Sequence, residues 1–353
     1  KSRLSLEREV GSAVDTRRRL SLHTEVDQAP LSWLMGSFFA YLYVGTPPQR
    51  VTVIADTGSH HTAFPCTGCA CGKHMDPPFD PSKSKTADIL KCGIIGKCHF
   101  QQSYSEGSSW HAYKVRDTVW IGEETISTSP IGISALSSSL SLSLRGSSQS
   151  KEIIGSRETV AANWSTPFEF GCQDKETGLF RTQEIDGIMG LSANEQTLPY
   201  ILYKNGITKT KAFGLCMRSN GGVMTLGGID TSLHTDQGES NSNSNSGSGI
   251  DKDGIKWASL IIQPKLRNSP PNSWFTVKLV DILMKPVDGG MSKSVSAGAA
   301  KFQAGKGTIV DSGTTDTYLP SDITRKWNTL FSEMSGGMKY HNRMQALSDE
   351  EFR

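Results

Sequence analysis

Short apolar stretches alternate with turn-forming residues along most of the chain, a pattern typical of β-strands rather than long amphipathic helices. Phe38–Val44 is apolar and aromatic, the turn Gly45–Pro48 follows, and Val51–Ala55 is a second apolar segment. The longest apolar stretch, Leu31–Val44, contains Ser32, Gly36 and Ser37 and falls short of the roughly 18 apolar residues of a membrane span. It therefore predicts a buried pair of strands.

Three segments interrupt this pattern. Residues 1–30 are charged, with an Arg triplet at 17–19, and they predict a leader or pro-segment, with a disordered tail as the alternative. Segments 127–156 and 235–254 are rich in Ser or in Ser and Asn, and they predict surface loops because they hold too little apolar surface to order themselves. A length of 353 residues favours about two domains.

The charges are balanced, with 37 Lys and Arg against 35 Asp and Glu and a net charge of +2. This composition lacks the excess of basic residues that is typical of proteins that bind nucleic acid or an anionic membrane.

Five of the seven cysteines lie between Cys66 and Cys98. They predict either an insert held by disulfides in an oxidising compartment, or a metal site with His74 and His99 as further candidate ligands. The spacing favours disulfides because no second Cys-x-x-Cys pair accompanies the first. The odd number leaves one thiol unpaired, or paired beyond Arg353.

A ten-residue repeat links the two halves of the chain. Asp56–Pro65 and Asp311–Pro320 share Asp, Gly, a hydroxyl residue, Thr and Pro at the same offsets. Each copy follows an apolar strand, Val53–Ala55 or Thr308–Val310. A single Asp-x-Gly-Ser/Thr motif would indicate only a turn, but two copies that match over ten residues indicate a common function.

The residue types of the repeat suit a site built from two carboxylates. Gly58 and Gly313 allow a tight turn and the close approach of another chain segment. Ser59 and Thr314 can donate a hydrogen bond to the preceding carboxylate and fix its orientation.

Two such turns can bring Asp56 and Asp311 together. Carboxylates at hydrogen-bonding distance cannot both ionise easily, so they share one proton. One carboxyl group then acts as base on a water molecule while the other protonates a carbonyl oxygen. The pair titrates as a unit, and the sequence assigns neither role to a particular Asp.

The repeat and its surroundings resemble the pepsin family of aspartic proteases. Four further segments carry the resemblance: Tyr43–Gln49, Gln102–Ser108, Asp186–Leu191 and Gly227–Asp230. The resemblance implies an all-β, bilobal fold with an active-site cleft between two β-barrel lobes. It implies an N-terminal catalytic lobe at 31–229 and a C-terminal catalytic lobe at 230–353, which we expect to be incomplete at its C-terminus. We accordingly expect residues 1–353 alone to be inactive.

The insert Cys66–Cys98 resembles that of nepenthesin-type plant enzymes and, more strongly, of plasmepsin V-like enzymes. The resemblance makes Tyr104 the tyrosine of the flap over the substrate, and Glu106 a partner for a basic substrate side chain. It also implies the secretory pathway, either in the endoplasmic reticulum with a membrane anchor beyond Arg353 or in secreted form. Many pepsins place a Trp after the first motif, where this chain has Ala63-Phe64, so Tyr104 is expected to lack that partner.

The repeat and the resemblance together predict an aspartic endopeptidase that is made as a zymogen and that acts on polypeptides as a monomer. We expect it to use no metal, covalent intermediate, organic cofactor or nucleic acid. One rival hypothesis is a catalytically silent pepsin-like binding protein. The other is a zinc-binding module built on the cysteine cluster.

Overall fold

The computed structural model describes residues 27–93, 96–122, 165–230, 233, 258–261, 274–286, 290–305, 307–314 and 317–339. Most of the predicted leader and both low-complexity segments lie outside the described residues.

Strands dominate the described residues, which confirms the all-β prediction. The strands are β1 Asp27–Leu34, β2 Ser37–Val44, β3 Gln49–Asp56, β4 Ala63–Ala70, β5 Asp88–Ile89, β6 His99–Ser103, β7 Ser109–Ile121, β8 Thr166–Thr177, β9 Gly187–Gly190, β10 Phe213–Arg218, β11 Gly221–Leu226, β12 Thr276–Val277, β13 Leu283–Met284, β14 Lys293–Ser294 and β15 Thr308–Ile309. The helices are α1 Leu198–Lys204, α2 Ala299–Phe302 and α3 Thr324–Met334, with short 3₁₀ turns at Pro81–Lys83, Gly178–Arg181 and Ser321–Ile323. No helix in this described part of the chain is long and apolar enough to cross a membrane.

The described residues divide into two compact units. The first contains the residues up to Ala55, His61–Gly190 and Glu195–Leu233. The second contains Asp56–His60, Leu191–Asn194 and the residues from 234 onward. The domain boundaries given above remain predictions, although β1 begins at Asp27, within the segment predicted as leader, where Asp27–Leu31 pairs with β11.

The first unit is built on one large sheet that closes on itself. Its strand order is β10-β11-β1-β2-β3-β9-β4-β8-β7-β5, with β6 paired to β7. A further pairing of β2 with β7 completes a ring of six strands: β2, β3, β9, β4, β8 and β7. Closure removes the exposed edges of these strands and encloses a core.

Aromatic side chains fill part of this core and attach the cysteine-rich insert to it. Phe64 of β4 stacks on Phe170 of β8 at 4.6 Å between ring centroids. Phe79, from the insert, meets both rings edge-on and is fully buried. The apolar surface that these rings remove from water holds the insert against the sheet.

Six of the seven cysteines form disulfides, which confirms the disulfide prediction. The pairs are Cys66–Cys172, Cys69–Cys71 and Cys92–Cys98. Two of these lie within the insert, and the third joins the insert to β8. Cys216 is outside these bonds. The six paired sulfurs are not thiolates, so they cannot serve as the ligands that the zinc-module hypothesis requires.

We expect loss of the Cys66–Cys172 bond to destabilise the first unit more than loss of Cys92–Cys98. The two bonds close loops with sequence separations of 106 and 6. Loop-closure entropy then gives about 5 kcal/mol for the first bond and about 2 kcal/mol for the second. Urea unfolding of the two double Cys→Ala variants measures the difference. Equal destabilisation by both would contradict this account.

The second unit contains two small sheets and a separate apolar core. β12 pairs with β15, and β13 pairs with β14, both antiparallel. The core contains Val295, Phe302 of α2, Ile323 and Leu330 of α3. Strand β15 ends two residues before Asp311, so the pairing of β12 with β15 positions the second copy of the repeat.

Candidate active site

The first Asp-x-Gly loop begins where β3 ends. Asp56 is the last residue of a strand whose final six residues are buried, and its own side chain is 4% exposed. The backbone N–H of Gly58 donates a hydrogen bond to Asp56 Oδ1 at 2.9 Å. Beneath the loop, the N–H groups of Leu191 and Ser192 donate to the carbonyl oxygens of Asp56 and Ser59 at 2.7 and 3.1 Å. The segment that follows β9 therefore supports the loop.

The second loop repeats this arrangement after β15. Gly313 N–H donates to Asp311 Oδ1 at 2.9 Å, and Thr314 Oγ1 donates to Asp311 Oδ2 at 2.6 Å. Thr314 thus occupies the orienting position expected from the repeat. Asp311 is exposed, whereas Asp56 is buried.

Hydroxyl side chains join the two loops to each other. The N–H of Thr57 donates to Ser312 Oγ at 3.1 Å, and the N–H of Ser312 donates to Thr57 Oγ1 at 2.9 Å. Thr57 Oγ1 in turn donates to the carbonyl oxygen of Val310 at 2.9 Å. Trp274 Nε1 adds a bond to the carbonyl oxygen of Gly58 at 2.7 Å. Thr57 and Ser312 were not among the predicted site residues, although both copies of the repeat carry a hydroxyl residue between Asp and Gly.

Each glycine of the repeat faces the opposite carboxylate. A Cβ atom at Gly58 would approach Asp311 Oδ2 to less than 3.0 Å, and one at Gly313 would approach Asp56 Oδ1 equally closely. Neither glycine has a left-handed φ. Their role is therefore to leave room for the two carboxylates.

This proximity changes the acidity of Asp56. Burial is the largest cause that raises the pKa of Asp56 to about 7, and the negative charge and hydrogen bonding of the neighbouring Asp311 act in the same direction, against the opposing effects of Ser59 and Gly58. A carboxyl group with this pKa holds a proton through the mildly acidic range. Asp56 can therefore hold a proton while it lies beside a second carboxyl group.

Ser59 does not orient the Asp56 carboxylate with a well-formed hydrogen bond, as Thr314 does for Asp311. Within the described residues, the buried Ser59 Oγ has no hydrogen-bond partner of acceptable geometry. Its proximity still acts to lower the pKa of Asp56. The two copies of the repeat therefore differ in how firmly the fourth residue holds its carboxylate.

Tyr104 and Glu106 belong to the first unit, in the turn between β6 and β7. Trp110 Nε1 donates to the Tyr104 hydroxyl at 3.2 Å, and the Tyr104 ring packs on Phe180 at 5.1 Å between centroids. As expected, Tyr104 has no Trp partner from the segment after the first motif, which is Ala63-Phe64 here. Trp110 of β7 contacts the Tyr104 hydroxyl group instead. Glu106 is exposed at the tip of the turn.

The histidines near these motifs have separate surroundings. His60 contacts Ser192 and Trp274, and the ring of His61 lies 5.2 Å from that of Phe100. His74 Nε2 pairs with the buried Glu176 at 3.0 Å. His74 was a candidate metal ligand, and the structure instead places it in this ion pair.

The all-β fold and the two linked Asp-x-Gly loops define the pepsin-type class of aspartic proteases. Residues 38–228 match the family described as xylanase inhibitor N-terminal, which is more than half of the chain. The chain belongs to this family.

Similar proteins carry names from the same class. Aspartic protease 5 of Toxoplasma gondii is 31% identical over 237 residues, which cover 57% of this chain and 21% of that protein. Plasmepsin V of Plasmodium falciparum is 28% identical over 208 residues, which cover 55% of this chain and 29% of that protein. A probable aspartic protease of Arabidopsis thaliana is 24% identical over 331 residues, which cover 88% of this chain and 63% of that protein. The chain thus spans less than two thirds of the length of each of these relatives.

Proposed function

We propose that the protein is an aspartic endopeptidase that hydrolyses polypeptides through Asp56 and Asp311. The observation that carries the proposal is the pair of carboxyl groups within reach of each other, one of which has its pKa raised to about 7. Hydrolysis of an amide needs a base for water and an acid for the carbonyl oxygen, and such a pair supplies both at one pH.

The difference in burial supports one assignment of the roles. Because burial raises the pKa of Asp56, we assign the shared proton to Asp56 and the role of the base to Asp311. Asp311 takes a proton from the water molecule as the water oxygen attacks the carbonyl carbon, and Asp56 gives its proton to the carbonyl oxygen. The resulting diol collapses as Asp311 gives its proton to the amide nitrogen, Asp56 takes a proton from a diol hydroxyl group, and the C–N bond breaks. The pair then holds its single proton on Asp56 again, and the protein forms no covalent intermediate.

The rival hypothesis of a silent binding protein has one source of support in the family description, which names a xylanase inhibitor. A silent member needs neither carboxylate nor the space between them. Both Asp residues and both glycines are present here, and each glycine leaves room for the opposite carboxylate. These features favour the protease.

The disulfides support a place in the secretory pathway. Three bonds among six cysteines are typical of proteins that fold in an oxidising compartment. We propose secretory-pathway proteins as the substrates, taken as extended polypeptide segments. Glu106, exposed and negatively charged in that turn, would pair with a basic side chain a few residues before the cleaved bond.

A peptide library incubated with the natural full-length protein tests both the activity and this preference. We expect cleavage enriched for Arg or Lys before the cleaved bond, and a two- to fivefold loss of that enrichment, as a rough range, in Glu106→Gln. Ser105→Ala, an exposed neighbour in the same turn, should keep the wild-type preference. Absence of cleavage would overturn the proposed function, whereas cleavage without a charge preference in either protein would overturn only the role of Glu106.

A further inference from the structure

Three side chains with metal-binding atoms converge on one face of the first unit, within its β6–β7–β8 sheet. They are His99 of β6, His111 of β7 and Asp174 of β8, and one ligand atom from each lies within 4.8 Å of the others. Among the residues that the structure describes, this is the one group of His, Cys, Asp or Glu with such convergence. None of the three belongs to the Asp56–Asp311 pair.

Strand register explains why the two imidazoles meet. His99 pairs with Tyr113 and Gln101 pairs with His111, so His99 and His111 are diagonal neighbours across two antiparallel strands. Diagonal neighbours are within reach of each other when their side chains are long or aromatic. The two rings stack at 5.0 Å between centroids, with an angle of 20° between planes.

A β-bulge brings the carboxylate to the same place. His111 pairs with Lys175 and the next residue, Ala112, pairs with Gln173, which leaves Asp174 as an extra residue in β8. An extra residue of this kind re-aims a side chain that regular alternation would place elsewhere. Asp174 Oδ1 lies 2.6 Å from His111 Nδ1, and Asp174 Oδ2 lies 3.6 Å from His99 Nδ1.

We propose that His99, His111 and Asp174 bind a divalent transition-metal ion of the Zn²⁺ type. Two imidazole nitrogens and one carboxylate oxygen are the donors that Zn²⁺ accepts, at about 2.0 to 2.2 Å each. Donors around a tetrahedral ion are then about 3.3 Å apart, a spacing between the 2.6 and 3.6 Å separations observed here. The side chains are 45%, 39% and 34% exposed, so they can rotate into place and leave the fourth position to water.

The ion would tie together the base of the hairpin that carries Tyr104. β6 runs from His99 to Ser103, the turn follows, and β7 returns through His111. A bound ion would link both arms of this hairpin to β8. His99, the ligand on β6, lies roughly 13 Å along the strand from Ser103, where the turn begins. The site therefore stiffens the hairpin from its base, and its existence does not depend on the proposed proteolysis.

Titration calorimetry with Zn²⁺ on the natural full-length protein at neutral pH tests the site. We expect the wild type to bind one more Zn²⁺ ion per chain than a His99→Ala/His111→Ala/Asp174→Asn triple variant. Each single variant should weaken binding about tenfold or more. Asp88→Asn, an exposed carboxylate on β5, is the control and should bind as wild type does.

A gain of affinity and a change in hydrogen exchange provide independent readouts. Gln101 lies directly opposite His111, so Gln101→His should add a fourth protein ligand and tighten binding about tenfold or more. Zn²⁺ should also slow hydrogen exchange at the Tyr104 and Gly107 amides, which bond within the turn, in the wild type and not in the triple variant. Equal Zn²⁺ binding by the wild type and the triple variant would overturn the proposal, and would leave the cluster as an ion pair between Asp174 and its histidines.

Discussion

Asp56→Asn and Asp311→Asn are each expected to slow peptide hydrolysis by about 10²- to 10⁴-fold while the protein stays folded. An amide in place of either carboxyl group cannot share the proton, so the remaining group cannot serve as both acid and base. Removing both groups should cost little more than removing one, because residues that act as a unit are not additive. Steady-state kinetics on one peptide substrate of the natural full-length protein, with circular dichroism for folding, measures this.

The pH dependence of the wild type follows from the same pair. Hydrolysis should fall as the pH rises through about 7, because Asp56 then loses the proton that its raised pKa retains at lower pH.

Asp322→Asn is the matched control for the two Asp→Asn variants, since this exposed carboxylate of the same unit pairs with Lys301 away from the two loops. Activity of Asp311→Asn close to that of the wild type would show that another group performs the chemistry.

Gly58→Ala is expected to reduce hydrolysis by about 10²-fold or more with a smaller effect on folding. Its methyl group would meet the carboxylate of Asp311 at less than 3.0 Å, and real Cβ atoms do not come so close to other atoms. The two carboxyl groups must then separate, and a displacement of about 1 Å at reacting groups can cost about 10²-fold. The backbone at Gly58 is outside the left-handed region, so the effect is steric.

Gly305→Ala separates this effect from the general cost of replacing a glycine. Gly305 lies in the same unit with a φ of 62° and open space around its Cβ position. Its replacement should strain the backbone and lower the unfolding free energy by about 1 kcal/mol while the rate of hydrolysis is unchanged. If Gly58→Ala hydrolysed peptides as fast as Gly305→Ala, the closeness of the carboxylates would not matter to the reaction.

The parts of the site that the sequence predicts are those encoded locally. Asp, Gly and the hydroxyl residue follow one another within four positions, and hydrogen bonds such as Gly313 N–H to Asp311 Oδ1 span two residues. An apolar strand before each copy is also a local pattern. For these reasons the two loops and the all-β fold could be predicted from the residues alone.

The remaining parts depend on contacts between distant segments, which no local pattern encodes. Seven cysteines allow many pairings, so the bond from Cys66 to Cys172 was not predicted. Trp110 reaches Tyr104 because β6 and β7 form a hairpin with one particular register. The bulge at Asp174 likewise has no mark in the sequence, because it depends on how β8 aligns with β7.

The bonds between Thr57 and Ser312 have a consequence for how the protein is made. These residues are 255 positions apart, so their contact closes one of the longest loops in the fold. Contacts of such high order form late, since the entropy of closing the loop must be overcome before any contact rewards it. At synthesis rates of about 5 to 20 residues per second, the second loop emerges many seconds after the first. A ribosome-bound chain that ends before Asp311 has only half of the carboxylate pair, so the proposed chemistry cannot act on neighbouring chains, or on the chain itself, until Asp311 has been added and its loop has paired with the first.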